Sequence, residues 1–439
     1  MKYTFVTAIC WSLLSSLPLM AQLQPTVELD EIIGSAIANN FNIKIAKNNI
    51  EVASNTATIG AAGWLPTADI GANYTYSNNN STTKFSGSIP DQDVTGAESQ
   101  NYGANVNLRY TLFDGLKPLY TLKKSQMDVR LMNTQYKQSI ENTIYSVLQA
   151  YYNLAALQED YRITAEKMAL TQIQLRRIEK QREYGQGSEV ERLNLQTSYN
   201  TDSTQLLRIL LGKKQAVRQL NKAIGAEDLD ENTQVVVDTE LDLNLNYESI
   251  LDAAQQNNLA LLKANQTIEK AKIDYQLIST ELYPKLNTTI SYGYSGSQND
   301  AGIVASNSSL GLTVNLGLTY TIYSGGQLRP ARQNAQLSIK NAELNLDFAQ
   351  YDLEQTIKDA WVTYENNMAL IPIEQGNVAI SKKSFDRTAT AYELGQVSYL
   401  SYQQAEFNYL QAQRQVITAR YNAKLAEWEL RRISGQLIK

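Results

Sequence analysis

A chain of 439 residues with 39 basic and 44 acidic side chains, a net charge of −5 and no block of like charge lacks the electrostatic footprint of a nucleic-acid binder. It has no histidine, and its only cysteine is Cys10. Intrachain disulfides, cysteine metal sites and histidine acid–base chemistry are therefore excluded, and no metal or cofactor is expected.

Near its start the chain has Lys2 and then a mostly apolar run from Phe5 to Leu19, with Ala21 at a plausible cleavage position. This reads as a secretory signal peptide over residues 1–21, which would carry Cys10 away. Residues 28–62 lack proline and read as a helix, stopped at Gly63-Trp64-Leu65-Pro66. Ile70, Ala72, Tyr74 and Tyr76 then alternate with polar residues, predicting a strand over 67–77. Residues 77–100 are rich in Ser, Asn, Thr, Gly and Asp and read as an exposed loop. Alternation resumes over 101–113 with Tyr102, Ala104, Val106, Leu108, Tyr110 and Leu112.

A long helical hairpin over 116–223 follows. Its first arm holds only Pro118, in the first turn, and at ~1.5 Å per residue reaches roughly 100 Å. Ile140, Val147, Leu154 and Tyr161 recur every seven residues, as do Ile144 and Tyr151, a seam that needs neighbouring helices. The arm turns at Tyr184-Gly185-Gln186-Gly187-Ser188, where Ser188 and Glu191 have capping-box spacing. A linker over 226–247 is acidic, with Val235-Val236-Val237 as a possible short strand.

The rest repeats the first part. Shifted by 218 residues, Ile32 falls on Ile250, Asn39-Asn40 on Asn257-Asn258 and Tyr74 on Tyr292. Shifted by 210, Tyr110 falls on Tyr320, Gly185-Gln186 on Gly395-Gln396, Ser188 on Ser398 and Gly225 on Gly435. The first repeat therefore spans 22–225 and the second 248–439, the first carrying eight extra residues between its strands. The second repeat has predicted strands over 285–296 and 309–323 and a helical hairpin over 326–433, in which Pro372 should kink the first arm. Strand 309–323 places Leu312, Val314, Leu316 and Leu318 on one face, set to meet lipid, with Thr313, Asn315 and Gly317 on the other.

Four strands per chain cannot close a barrel, and an open edge is not viable in lipid. Two copies would give eight strands around a filled interior; three would give twelve and room for a pore. The duplication, the strand ends Tyr110-Thr111-Leu112-Phe113-Asp114-Gly115 and Tyr320-Thr321-Ile322-Tyr323-Ser324-Gly325-Gly326, and the two glycine tips resemble the outer membrane efflux protein family, the TolC-like channels. The resemblance covers about residues 28–435. It implies an α+β membrane protein, an internally duplicated protomer giving four strands to a trimeric 12-stranded outer-membrane barrel and long helices to a periplasmic tunnel. It also implies a homotrimer, a periplasmic adaptor and an inner-membrane transporter as partners, and passive export rather than enzymatic chemistry. Cargo and pump are not legible. The rival reading is a structural or adhesin-like periplasmic coiled coil anchored by a small barrel.

At the tips, Gly185, Gln186, Ser188, Gly395, Gln396 and Ser398 become candidate adaptor contacts, and Tyr392 with Glu191 a candidate tunnel-mouth gate. The family's acid six residues after the tip glycine corresponds to Glu191 in the first tip and to Ser401 in the second; its further acid corresponds to Gln404. A basic position found in some relatives is Val397. The resemblance thus implies weaker block by divalent cations than an acid-ringed mouth shows.

Overall fold

The computed structural model describes residues 26–87, 90–227, 229–236, 240–242, 245–301 and 304–438. The expected signal peptide, Cys10 and Val237 lie outside the described residues. In chain order the elements are β1 (Thr26–Val27), α1 (Leu29–Asn39), α2 (Phe41–Thr56), β2 (Thr67–Thr83), β3 (Gln92–Phe113), α3 (Lys117–Glu183), α4 (Glu189–Ile224), β4 (Gln234–Val235), α5 (Tyr247–Asn257), α6 (Leu259–Ser279), β5 (Lys285–Asn299), β6 (Ser306–Thr319), α7 (Leu328–Glu393) and α8 (Tyr399–Ile433).

The segment 28–62, expected as one helix, is two. The break falls at Asn40, whose side chain accepts from the backbone N–H groups of Asn42 and Ile43 and so caps α2. Its amide Nδ2 donates to Ala223 O at 2.7 Å, at the last turn of α4. Gly225, at φ +85°, follows, and a Cβ there would come within 2.8 Å of Asn40 Cα. The end of α4 therefore abuts the start of α2, and both flank α3. The second half does the same: Asn258 caps α6 and donates to Ile433 O at 2.9 Å, while Gly435, at φ +68°, presses on Asn257. Each long helix is thus accompanied by two shorter ones stacked end to end.

The heptad seam lies where its spacing requires. Ile140, Ile144, Val147, Tyr151 and Leu154 are buried with Ile32, Val217 and Leu220 in one core. Ile357 and Tyr364 are buried with Ile250, Leu261 and Leu430 in another, against which Trp361 and Met368 pack. The linker is pinned around these cores. β4 pairs in parallel with β1, Tyr151 Oη donates to Val236 O, and Gln158 exchanges two hydrogen bonds with the Val235 backbone. Further on, Tyr364 Oη donates to Asp242 O and Arg431 pairs with the Asp242 carboxylate. α7 runs as one helix through Pro372.

The four long strands form one antiparallel sheet in the order β2-β3-β5-β6. Two sequence expectations fail here. The segment 77–100 is mostly strand rather than loop, because β2 and β3 stay paired out to Thr83 and Gln92, past a bulge between Asn79 and Ser81. Hydrogen bonds between backbones need no apolar alternation, so the Ser/Asn run did not betray its strand character. Strand β6 ends at Thr319 rather than at residue 323. Thr319 pairs with Lys285, the first residue of β5, and the residue before that is Pro284, which has no N–H to extend the ladder.

Candidate functional site

Two regions carry the features the sequence singled out: the sheet, and the far ends of the helices. In the sheet, the register aligns one face across all four strands. Leu312, Val314, Leu316 and Leu318 of β6 stand opposite Tyr292, Ile290, Thr288 and Leu286 of β5. Those in turn oppose Val106, Leu108, Tyr110 and Phe113 of β3, and Val106 and Leu108 oppose Ile70 and Ala68 of β2. Paired residues of an antiparallel ladder share a face, so one side is an apolar and aromatic band. All four β6 residues are exposed, Leu316 at 65%. The other side is polar throughout: Arg109 pairs with Asp69 at 2.5 Å, Asn107 donates to Asp69 at 3.0 Å, and Thr111 donates to Asn287 at 3.0 Å. Thr313, Asn315 and Gly317 belong to this polar side by the same register.

At the other end, both long helices stop in the same way. Gly185 N–H donates to Arg182 O and Gln186 N–H to Gln181 O; Gly395 N–H donates to Tyr392 O and Gln396 N–H to Ala391 O. This is the paired closure of a helix C-terminus around a left-handed residue, and the glycines sit at φ +74° and +71°. Ser188 and Ser398 then cap α4 and α8, accepting from the N–H groups of Glu191 and Ser401. Matched apolar side chains project around each tip: Tyr184 and Val190 on the first, Leu394 and Leu400 on the second, all exposed.

The Glu191 carboxylate does not serve its own helix alone. Tyr392 Oη, from the last turn of α7, donates to Glu191 Oε1. Burial, reinforced by this carboxylate, pushes the Tyr392 phenol up from its usual range. Arg177 of α3 lies over the Tyr392 ring at 5.9 Å and donates to Glu393 O at 2.9 Å. Tyr399 and Gln403 of α8 reach Ser198 of α4 at 3.3 and 2.9 Å. Tyr392, Tyr399 and Tyr402 pack ring to ring, and Phe385 joins them through Tyr402. The two tips of one protomer are thus cross-linked by hydrogen bonds and by Arg177 over the Tyr392 ring, while the aromatic cluster stiffens the second tip.

Sequence reading found Tyr392 and Glu191 but missed their neighbours. Arg177 and Ser198 carry no local signature, and the tyrosines at 392, 399 and 402 have the spacing of an ordinary helical seam. One signal was available. Along α3 the side that meets the other helices changes character, from Ile144, Val147, Tyr151 and Leu154 to Asp160, Thr164, Lys167, Thr171, Gln174 and Arg177. Toward the tip the hairpins are joined chiefly by polar links. Asp160 pairs with Arg414 at 2.5 Å and Thr164 accepts from Arg414 at 3.0 Å, while within the first hairpin Lys167 of α3 pairs with Asp202 of α4 at 2.5 Å.

The family model described as outer membrane efflux protein matches residues 32–226 and 250–436, one stretch in each half of the duplication. The chain belongs to this family. The outer membrane protein TolC of Escherichia coli (strain K12) is 23% identical over 382 residues, 85% of this chain and 75% of that protein. The outer membrane efflux protein BepC of Brucella suis is 19% identical, covering 97% of this chain and 89% of its own. Among solved structures, the Campylobacter jejuni CmeC outer membrane channel aligns with a TM-score of 0.78 at 16% identity, covering 100% of this chain and 95% of that one. As a member of the outer membrane efflux protein family, this protein is an outer-membrane export channel whose helical body stands in the periplasm.

Proposed function

We propose that three copies close one twelve-stranded barrel, and that their helices form a single tunnel serving as the passive exit duct of a tripartite efflux or type I secretion system. The observation that carries this reading is the sheet. Among the described residues it has four strands, unpaired edges at β2 and β6, and one face that is predominantly apolar and aromatic on all four strands. Unpaired edge strands are unstable in lipid, and closure between copies satisfies both edges at once. Twelve strands leave a lumen, which the polar face of Asp69, Asn107, Arg109 and Asn315 lines. Leu312, Val314, Leu316 and Leu318 then face the acyl chains.

The tips supply the other two roles. Gly185, Gln186, Ser188 and their counterparts Gly395, Gln396 and Ser398 shape turns that expose Tyr184, Val190, Leu394 and Leu400. Six such tips in a trimer present an apolar ring suited to a periplasmic adaptor, through which an inner-membrane transporter is coupled. The Tyr392–Glu191 link closes the mouth until that coupling is made. The activity we propose for these two regions is passive conduction. Planar-bilayer recording tests the reading: purified protein should form pores of defined conductance. Full insertion without ion conduction would leave only a structural role.

A further inference from the structure

We infer that Glu406 is a proton-binding site that controls the seam between the two hairpins: neutral, it holds α8 against α3 and α4, and ionised, it loosens them. The inference rests on the proposed gate at the tips, two turns away, and names what regulates it.

Glu406 lies on α8 and is 5% exposed. Among the described residues its Oε1 atom has no hydrogen-bond partner, and neither has Oε1 of Gln174, another buried acceptor, on α3. The Tyr402 hydroxyl meets both side chains. This stretch of the seam therefore sets two buried acceptors around a single O–H donor and is one donor short. Bare buried acceptors are costly, and a proton on Glu406 is the donor that would serve this place.

The charged and titratable groups around it give the same answer. From α3 comes Lys167; from α4, Asp202; from its own helix, Tyr399 and Tyr402. α7 contributes Phe385 and Tyr392, both packed on the Tyr402 ring. Lys167 is already bonded to Asp202, which is 4% exposed and also accepts from Thr171 at 3.3 Å. One ammonium thus stands against two buried carboxylates, and an ionised Glu406 is a buried charge without its own counter-ion. Burial accordingly pushes the Glu406 carboxyl up to about 7, with Asp202 adding to the rise and Lys167 opposing it.

The sign follows from linkage. The joined seam holds the proton more tightly than a separated one, where the carboxyl returns toward its usual range. The seam's extra stability is therefore present at acidic pH and lost as pH rises through about 7. Between about pH 6 and about pH 8 the ionised fraction climbs from about one-tenth to about nine-tenths. The aromatic cluster that carries Tyr392 sits on this seam, so loosening α8 releases the tip link.

Planar-bilayer recording of the intact protein, with the pH on the helical side stepped from about 5.5 to about 8.5, reads this directly. The resting conductance of the wild type should rise several-fold, centred near about pH 7. Glu406→Gln should stay at the low acidic level throughout. A Glu406→Gln profile that rises like the wild type overturns the proposal. Should that variant fail to assemble, hydrogen exchange of the wild type decides. Amides of residues 399–410, corrected for intrinsic rates, should lose protection as pH passes about 7, and unchanged protection overturns the site. The double change Tyr392→Phe with Glu191→Gln separates the two claims. If it raises conductance while Glu406→Gln keeps the wild-type profile, the gate stands and the proton site falls. If it changes nothing, the gate itself is wrong.

Discussion

Tyr392 and Glu191 lie 201 positions apart in sequence, yet one hydrogen bond joins them across the two hairpins. A phenol-to-carboxylate bond is charge-assisted and worth about 1.5–3 kcal/mol at best, and water at the mouth lowers that. In the proposed trimer three such links, each backed by Arg177, would act together to hold the mouth closed until a docking partner breaks them. Tyr392→Phe with Glu191→Gln should therefore raise resting conductance while leaving the assembly intact. Unchanged conductance would reduce the tips to docking turns. The pair was legible because the tip glycines place both residues within two turns of a helix break. Arg177, Ser198 and Gln403 were not, since each acts only on a partner about 200 residues away, as in the 2.9 Å bond from Gln403 to Ser198.

Among the elements, strands read best where the membrane demands alternation and worst where it does not. Leu310 to Leu318 could be read residue by residue because one side must be apolar. The outer parts of β2 and β3, with Asn78, Asn79 and Ser81, lie beyond the apolar band and are held by the backbone ladder and a few polar links, such as Asn80 Oδ1 accepting from Gly96 N–H. The break at Asn40 was hidden for a different reason. Asparagine is tolerated within helices, and what fixes the break here is a hydrogen bond from Asn40 Nδ2 to Ala223 O, 183 residues away, beside the cap that its Oδ1 gives α2. The facing of β6 yields a sharp test. An arginine at mid-bilayer depth on the lipid side costs about 2–4 kcal/mol. Leu316→Arg should therefore impair assembly, whereas Asn315→Arg should assemble and alter conductance. Equal effects at the two neighbours, followed by semi-native gel electrophoresis and bilayer recording, would contradict the assignment of faces.

At the scale of the whole molecule, the duplication is the organising fact. It builds two helical cores, two end-to-end helix joints and two matched tips, and it leaves one sheet that is half a solution. Among the described residues both of its edges are unpaired and its apolar face is left exposed. The sequence sufficed to reach this incompleteness, because counting strands and reading their faces does not depend on exact boundaries. How the copies meet was not legible, since edge register between chains leaves no trace in one chain's pattern. Native mass spectrometry of the detergent-solubilised protein tests closure most directly. A single dominant assembly of three chains, retaining its strand signal, is the predicted result. A stable monomer or dimer with the same strand content would contradict it.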